Sequence, residues 1–123
     1  MVKQISRDEL MKMQETGENF KLVDVLDKTH YETEHIKGAI SLPVNEIEKK
    51  AKALLKKEEK IVVYCASFDC QASTIAAQKL MAMGYKDVLD YKGGIKDYKE
   101  AGLPLEGTLY RKASQAHPAC SSC

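Results

Sequence analysis

The feature that most constrains this chain is an apolar, strand-like run that ends on a cysteine and leads through a short polar loop into a helix-like segment. The run covers residues 61–64, the cysteine is Cys65, the loop covers residues 66–71 and the helical pattern covers residues 72–83. In an open α/β sheet, reactive groups and ligands lie at the carboxyl ends of strands, opposite helix N-termini. Loop amides and the helix dipole favour negative charge at such a place, so the pattern predicts a reactive thiol at Cys65 with a lowered pKa.

The rest of the chain alternates strand-like and helix-like segments. A Ser-x-x-Glu pattern at Ser6 predicts a capped helix that ends near Gly17. Strands are predicted over residues 20–26, 61–65 and 87–91, and residues 35–42 are predicted to form a turn that leads into a short strand. Helices or helical turns are predicted over residues 27–34, 45–55, 72–83 and 95–101. Asn45 is the predicted N-cap of the helix over 45–55. The helix over 72–83 is predicted to bury one stripe of side chains, which comprises Ile75, Ala76, Leu80 and Met83. The alternation predicts an α/β fold with a parallel sheet covered on both faces.

Composition excludes several classes of protein. The 123 residues are 44% hydrophobic and 30% charged, which is typical of one globular domain, and the formal net charge of +1 implies no strong attraction to nucleic acid or membranes. The first residues contain no apolar segment typical of a signal peptide, and no run reaches the roughly 20 apolar residues of a membrane helix, so we expect a cytoplasmic protein. Four cysteines would then be mostly reduced, which favours catalytic or metal-binding roles over a disulfide framework.

Periodicity is lost after Gly107, so residues 1–107 are the predicted domain and residues 108–123 a C-terminal tail. The tail carries His117, Cys120 and Cys123, a Cys-x-x-Cys pattern with one nearby histidine. A closed zinc site needs four ligands and only three are local, so no metal is predicted. Two readings remain open: ordinary tail thiols, or a tail thiol that accepts sulfur from Cys65.

The order of these segments resembles the rhodanese-like domain. Its "DVR…EY…GHIPGAI" stretch is similar to residues 22–25, Tyr31 and residues 35–40, and its strand with the catalytic cysteine is similar to residues 61–65. The family's ending is similar to the stretch from Leu80 through Gly93-Gly94-Ile95 to Gly102-Leu103-Pro104. The resemblance covers roughly residues 3–106 and implies a three-layer α/β/α fold with a central parallel sheet of about five strands.

The resemblance also implies the chemistry of a sulfurtransferase. Cys65 would take a sulfane sulfur, carry it as a persulfide and pass it to a thiol or protein acceptor, without a cofactor, a metal or a nucleic-acid or membrane partner. The main-chain N–H groups of the loop would cradle the persulfide. The residues of this implied substrate-binding loop are Ala66, Ser67, Phe68, Asp69, Cys70 and Gln71.

The loop side chains differ from those of many thiosulfate-using family members, which carry a basic residue there. The only formal charge in this loop is on Asp69, which opposes an anionic donor, so we expect weak thiosulfate activity and a polysulfide or thiol persulfide as donor. Phosphatases and arsenate reductases of the same fold have arginine at the position of Gln71, where it clamps the transition-state charge. Two alternatives stay open: a non-catalytic binding module, and an arsenate- or phosphate-handling thiol enzyme.

Cys70 and three polar residues each have two interpretations. Cys70 either resolves or receives a persulfide from Cys65, or it is a small residue that packs the start of the helix. Asp24 either anchors the loop or is a satisfied carboxylate at a strand end, and His35 is expected to fix a turn rather than to donate a proton. Ser73 either donates to the persulfide or acts as a cap or first-turn residue, and the second role is expected.

Overall fold

The protein, described here by a computed structural model over residues 2–110, contains a parallel sheet covered by helices on both faces. Within that range the strands are β1 (Lys3–Ile5), β2 (Lys21–Asp24), β3 (His35–Ile36), β4 (Ile40–Ser41), β5 (Lys60–Tyr64), β6 (Asp87–Tyr91) and β7 (Leu105–Glu106). The helices are α1 (Arg7–Glu15), α2 (Lys28–Thr33), α3 (Ile47–Leu54), α4 (Ala72–Ala82) and α5 (Gly94–Glu100), with a 3-10 turn at Val44–Glu46. The predicted α/β fold with a parallel sheet of about five strands is confirmed.

Sheet order explains why Cys65 lies at the middle of the molecule. The five parallel strands are arranged β1-β6-β5-β2-β4, and β3 pairs with β7 in a separate antiparallel ribbon. The central strand β5 pairs with β6 on one side and β2 on the other. Its four residues from Ile61 to Tyr64 are fully buried, as a continuous apolar run predicts for a strand covered on both faces. Cys65 therefore leaves the sheet at the carboxyl edge of its central strand.

The two faces of the sheet are covered by different pairs of helices. On one face, Val23 and Val63 pack with side chains of α3 and α4, including Ala76 and Leu80. On the other face, Val62 packs with side chains of α1 and α5. This arrangement is the three-layer α/β/α architecture, and it places the N-termini of α4 and α5 at the same sheet edge as Cys65.

The predicted start of α1 is confirmed, whereas the predicted start of α3 is wrong. The capping box is present: the Ser6 hydroxyl accepts from the Glu9 amide at 3.1 Å, and the Glu9 carboxylate accepts from the Ser6 amide at 2.9 Å. The prediction of Asn45 as a helix cap is wrong. Asn45 lies inside the 3-10 turn, which runs directly into α3, so Glu46 occupies the N-cap position and makes no side-chain cap bond.

The predicted buried stripe of α4 is shifted. Ile75 is 45% exposed, and the buried residues of α4 are Ser73, Ala76, Ala77 and Leu80. Two adjacent alanines let the helix lie close to the sheet, which turns the larger Ile75 side chain towards solvent. The shift places Ser73 inward, beside Cys65.

The described residues extend slightly beyond the predicted end of the domain. Past Gly107, the described chain continues to Tyr110, whose hydroxyl donates to the Glu34 carboxylate at 2.5 Å. The tail residues His117, Cys120 and Cys123 lie outside the described residues, so their roles stay predictions.

Between residues 2 and 110, none of the helices has the length and apolar character that a bilayer crossing requires.

Candidate active site

The start of the loop is fixed by the first turn of α5. The Ile95 amide donates to the Cys65 carbonyl at 3.0 Å, and the Lys96 amide donates to the Ala66 carbonyl at 2.9 Å. This close approach requires glycine at position 94, which has φ +64°; a Cβ there would clash with the Cys65 carbonyl oxygen and lie 2.9 Å from the Ala66 carbonyl carbon. The sequence positions Cys65 through a neighbouring helix as well as through its own strand.

A tight turn then folds the loop back over Cys65. The Cys70 amide donates to the Ser67 carbonyl at 3.1 Å, which closes a four-residue turn. The Cys65 thiol lies 3.4 Å from the Cys70 carbonyl oxygen and 3.4 Å from the hydroxyl oxygen of Ser73. With these groups around it, the Cys65 side chain is 0% exposed.

The groups around Cys65 keep its thiol protonated. Burial raises the pKa of Cys65, and the adjacent Cys70 thiol raises it further, whereas the hydroxyl and amide of Ser73 oppose the rise. The predicted lowered pKa of Cys65 is therefore wrong. The prediction counted the loop amides but could not include the closure of the loop over the thiol, which removes the thiol from water.

Cys70 has the surroundings that were expected for Cys65. Burial acts to raise its pKa, but this effect is outweighed by the Cys65 thiol, by the N–H groups of Ala66 and Ala72 and by the charge of Lys92, so the pKa of Cys70 is lowered. Cys70 is also partly exposed. The more acidic and more accessible thiol of the pair is the second one.

Lys92 is a site residue that the sequence analysis missed. It lies in the turn between β6 and α5, and its ammonium group donates to the Cys70 carbonyl at 2.5 Å. The sequence argument looked for a cation only inside the loop. The signal that could have found it is that Lys92 follows β6, the parallel neighbour of β5, so both turns lie at one sheet edge.

Replacing Lys92 with methionine is expected to raise the pKa of Cys70, because the replacement removes the positive charge that stabilises the thiolate. Since the thiolate is the reactive form, the pH dependence of Cys70 alkylation should move to higher pH. The measurement is the rate of iodoacetamide modification of the Cys70 peptide between pH 6 and 10, a range that spans the ordinary thiol pKa of about 8.5. Lys86→Met, which removes the same charge from an exposed site, is the control. An unchanged Cys70 profile in Lys92→Met would contradict the assigned role of this cation.

Asp24 and His35 make no hydrogen bond to residues 65–71, all of which the structure describes. Asp24 is fully buried at the end of β2, where its carboxylate accepts from the Leu26 amide at 2.9 Å, and burial raises its pKa. Asp24 therefore stabilises its own turn through Oδ1, but Oδ2 is buried without a hydrogen-bond partner among the described residues, so the carboxylate is only half satisfied. Asp24 makes no contact that would anchor the loop. His35 places Nδ1 2.7 Å from the Tyr31 carbonyl and stacks on the Tyr31 ring at 3.8 Å, so it fixes the turn before β3.

The outer surface of the loop faces a groove. Phe68 is 65% exposed at the tip of the loop, next to a cavity of about 430 Å³ that Arg7, Tyr91, Lys92 and Asp97 also line. A larger cavity of about 720 Å³ lies between α2 and β7, around Tyr31 and Leu105, residues that belong to neither the loop nor the β6–α5 turn. The groove beside Phe68 therefore adjoins the loop and the Lys92 turn, whereas the larger cavity does not.

Comparison with known proteins shows that the sequence matches a protein family. Residues 6–101 match the family profile of the Rhodanese-like domain. The chain is 31% identical over 99 residues to the thiosulfate sulfurtransferase GlpE of Coxiella burnetii, which covers 80% of this chain and 89% of GlpE. It is 33% identical over 102 residues to the HTH-type transcriptional regulator Rv0324 of Mycobacterium tuberculosis, which covers 83% of this chain and 44% of Rv0324.

Solved structures of rhodanese-like domains are similar to this chain. The solution structure of the rhodanese-like domain from the Alr3790 protein of Anabaena superposes with a TM-score of 0.80 at 30% identity, covering 96% of this chain and 86% of that domain. Some matched relatives are longer: the chain spans about half the length of Rv0324 and of a second relative from Bacillus subtilis, at 44% and 51%.

Proposed function

Because the chain belongs to the rhodanese-like domain family, we propose that it is a sulfurtransferase that carries sulfane sulfur as a persulfide on Cys65. The observation that carries the proposal is the position of this thiol. Cys65 ends the central strand and begins a loop that folds back over it, beside the first turn of α4. The N–H groups of Ala66, Ala72 and Ser73 face the two sulfurs in this space, where they would stabilise a persulfide anion.

The first half-reaction begins with the loss of the Cys65 proton. The proton passes to water when the loop is displaced, and the hydroxyl and amide of Ser73, which oppose the rise of the Cys65 pKa, favour the resulting thiolate. The Cys65 thiolate then attacks the outer sulfur of the donor. A new S–S bond forms on Cys65 while the donor S–S bond breaks, and the remainder of the donor leaves as a thiolate.

In the second half-reaction an acceptor thiolate attacks the outer sulfur of the Cys65 persulfide. The Cys65–sulfur bond breaks, the acceptor leaves as a persulfide and Cys65 returns to its starting state. The acceptor in this proposal is a low-molecular-weight or protein thiol in the cytoplasm, and no step needs a cofactor, a metal, nucleic acid or a membrane.

The loop supports a polysulfide or a thiol persulfide as donor rather than thiosulfate. Thiosulfate carries a sulfonate group that needs a cationic partner, and no side chain of residues 66–71 supplies one. One N–H of the Lys92 ammonium group is used by the Cys70 carbonyl. The exposed Asp69 carboxylate repels a second anion, whereas exposed Phe68 offers apolar contact to a thiol-bound donor. The charges of these side chains are the reason that we propose a polysulfide or thiol persulfide, and not thiosulfate, as the preferred sulfur donor.

Comparing kcat/KM for a thiol persulfide with an uncharged organic group and for thiosulfate tests the proposed donor. A missing charge-assisted bond is worth about 1.5–3 kcal/mol, so the thiol persulfide is expected to be preferred by about tenfold or more. Asp69→Asn should narrow this preference because it removes the repulsion, and Glu58→Gln at an exposed position away from the loop is the control. Equal rates with both donors, unaltered in Asp69→Asn, would contradict the donor assignment. No adduct on Cys65 from any sulfur donor would instead favour a binding module.

A further inference from the structure

The two cysteines of the loop form a contact pair that simple sulfur transfer does not require. Four residues separate Cys65 from Cys70, and the turn that the Cys70 amide closes onto Ser67 returns the chain to Cys65. The Cys65 thiol lies 3.4 Å from the Cys70 carbonyl oxygen, and each of the two thiols shifts the pKa of the other. The folded loop has therefore already brought together the two ends that a disulfide would join.

Cys70 packs against the apolar core that contains Cys65, but its sulfur also has polar partners that a purely space-filling role does not require. The N–H groups of Ala66 and Ala72 face this sulfur, and the Lys92 ammonium group is bonded to the carbonyl of the same residue. A cysteine that only filled the start of α4 would need no such donors. These groups lower the pKa of Cys70 and so favour its thiolate next to Cys65.

We propose that Cys70 is the resolving thiol of the Cys65 persulfide, a role that rests on the proposed function. The Cys70 thiolate attacks the Cys65 sulfur, a Cys65–Cys70 disulfide forms, and the bond from Cys65 to the outer sulfur breaks. The outer sulfur leaves as HS⁻ and carries away the electron pair of that bond. The sulfane sulfur is thereby reduced to sulfide while the two cysteine sulfurs are oxidised.

Turnover of this branch requires an external reductant, either a low-molecular-weight thiol or a dithiol protein. Two electrons from that reductant return the disulfide to two thiols. The partial exposure of Cys70 fits this step, because the incoming thiolate can reach the Cys70 sulfur while Cys65 stays covered. The same site then has two outcomes: transfer of sulfur to an external thiol, and release of sulfide with formation of a disulfide.

The test uses the full chain carrying Cys120→Ser and Cys123→Ser, so that Cys65 and Cys70 are the remaining thiols. The protein is loaded briefly with polysulfide, desalted, and followed by intact mass and by sulfide release. The expected result is about one HS⁻ per persulfide and a mass about 2 Da below the reduced protein, with the disulfide mapped to residues 65 and 70. In the matched variant that also carries Cys70→Ser, the adduct of about 32 Da should persist at least about tenfold longer.

The outcomes separate the two proposals. If the persulfide forms and decays equally slowly with and without Cys70, and no disulfide appears, the resolving role is overturned while the proposed function stands. If no adduct forms in either protein, the proposed function fails and the resolving role fails with it. Equal unfolding midpoints in urea for the two proteins would show that the serine substitution acts on the chemistry and not on the fold.

Discussion

Replacing Cys65 with serine is expected to abolish persulfide formation and to lower sulfur transfer by at least about 10³-fold, a loss typical of removing an enzyme's nucleophile. A serine hydroxyl is not ionised near neutral pH and cannot form a persulfide. It does fit the space, because its one hydrogen can be donated to either the Cys70 carbonyl or the Ser73 hydroxyl, the two groups that lie 3.4 Å from the thiol. The measurement is the steady-state rate with polysulfide, together with the intact mass after loading.

Cys70→Ser is the matched control for this experiment. It removes the neighbouring thiol from the same loop, and it should retain sulfur loading on Cys65. A Cys65→Ser protein that still accepts sulfur, with the adduct mapped to Cys70, would contradict the assignment of Cys65 as nucleophile. That outcome would make the more acidic and more exposed thiol the entry point.

Gly94→Ala is expected to lower the free energy of unfolding by about 3–5 kcal/mol, the range typical of a severe backbone clash. Two effects act together at this position. The residue has φ +64°, which a side chain disfavours, and the added Cβ would meet the backbone of Cys65 and Ala66. Urea unfolding with linear extrapolation measures the loss. Because the clash lies at the loop itself, the alkylation rate of Cys65 should also rise as its cover loosens.

Gly102→Ala separates the two effects. Gly102 has φ +75°, but a Cβ there has no atom within 4 Å, so this variant carries the backbone strain without the clash. It should cost only about 1–2 kcal/mol and leave the alkylation of Cys65 unchanged. Equal losses in Gly94→Ala and Gly102→Ala would show that the approach of α5 to the loop does not depend on residue 94.

The sequence predicts the fold well because the determinants of its segments are short-range. A continuous apolar run specifies β5 as a strand buried on both faces, and the capping box at Ser6 specifies the start of α1 within four residues. The alternation of strands and helices then restricts the sheet to a parallel one. The short-range signals fail at Asn45 and Ile75, where the neighbouring turn and the packing of α4 on the sheet decide the outcome.

The site is less predictable because its electrostatics arise from contacts between distant segments. Lys92 reaches the Cys70 carbonyl across 22 positions of the chain, and no local pattern marks it. The pKa of Cys65 depends on whether the loop closes over the thiol. Strand-end position and loop amides alone predict a lowered pKa, while the folded loop raises it by excluding water. The identity of the two thiols was therefore predictable, but the division of charge between them was not.

Complete burial of Cys65 has a kinetic consequence for every donor. The carbonyls of Cys65 and Ala66 are held by amides of α5, so the movement that uncovers the sulfur is confined to the part of the loop beyond Ala66. A donor meets the nucleophile only during the fraction of time that this segment is displaced, and its apparent affinity is reduced by that fraction. For the sulfur donors proposed above, this reduction is the same for each donor, so it acts on the absolute rate and leaves the proposed preference to the charges of the loop.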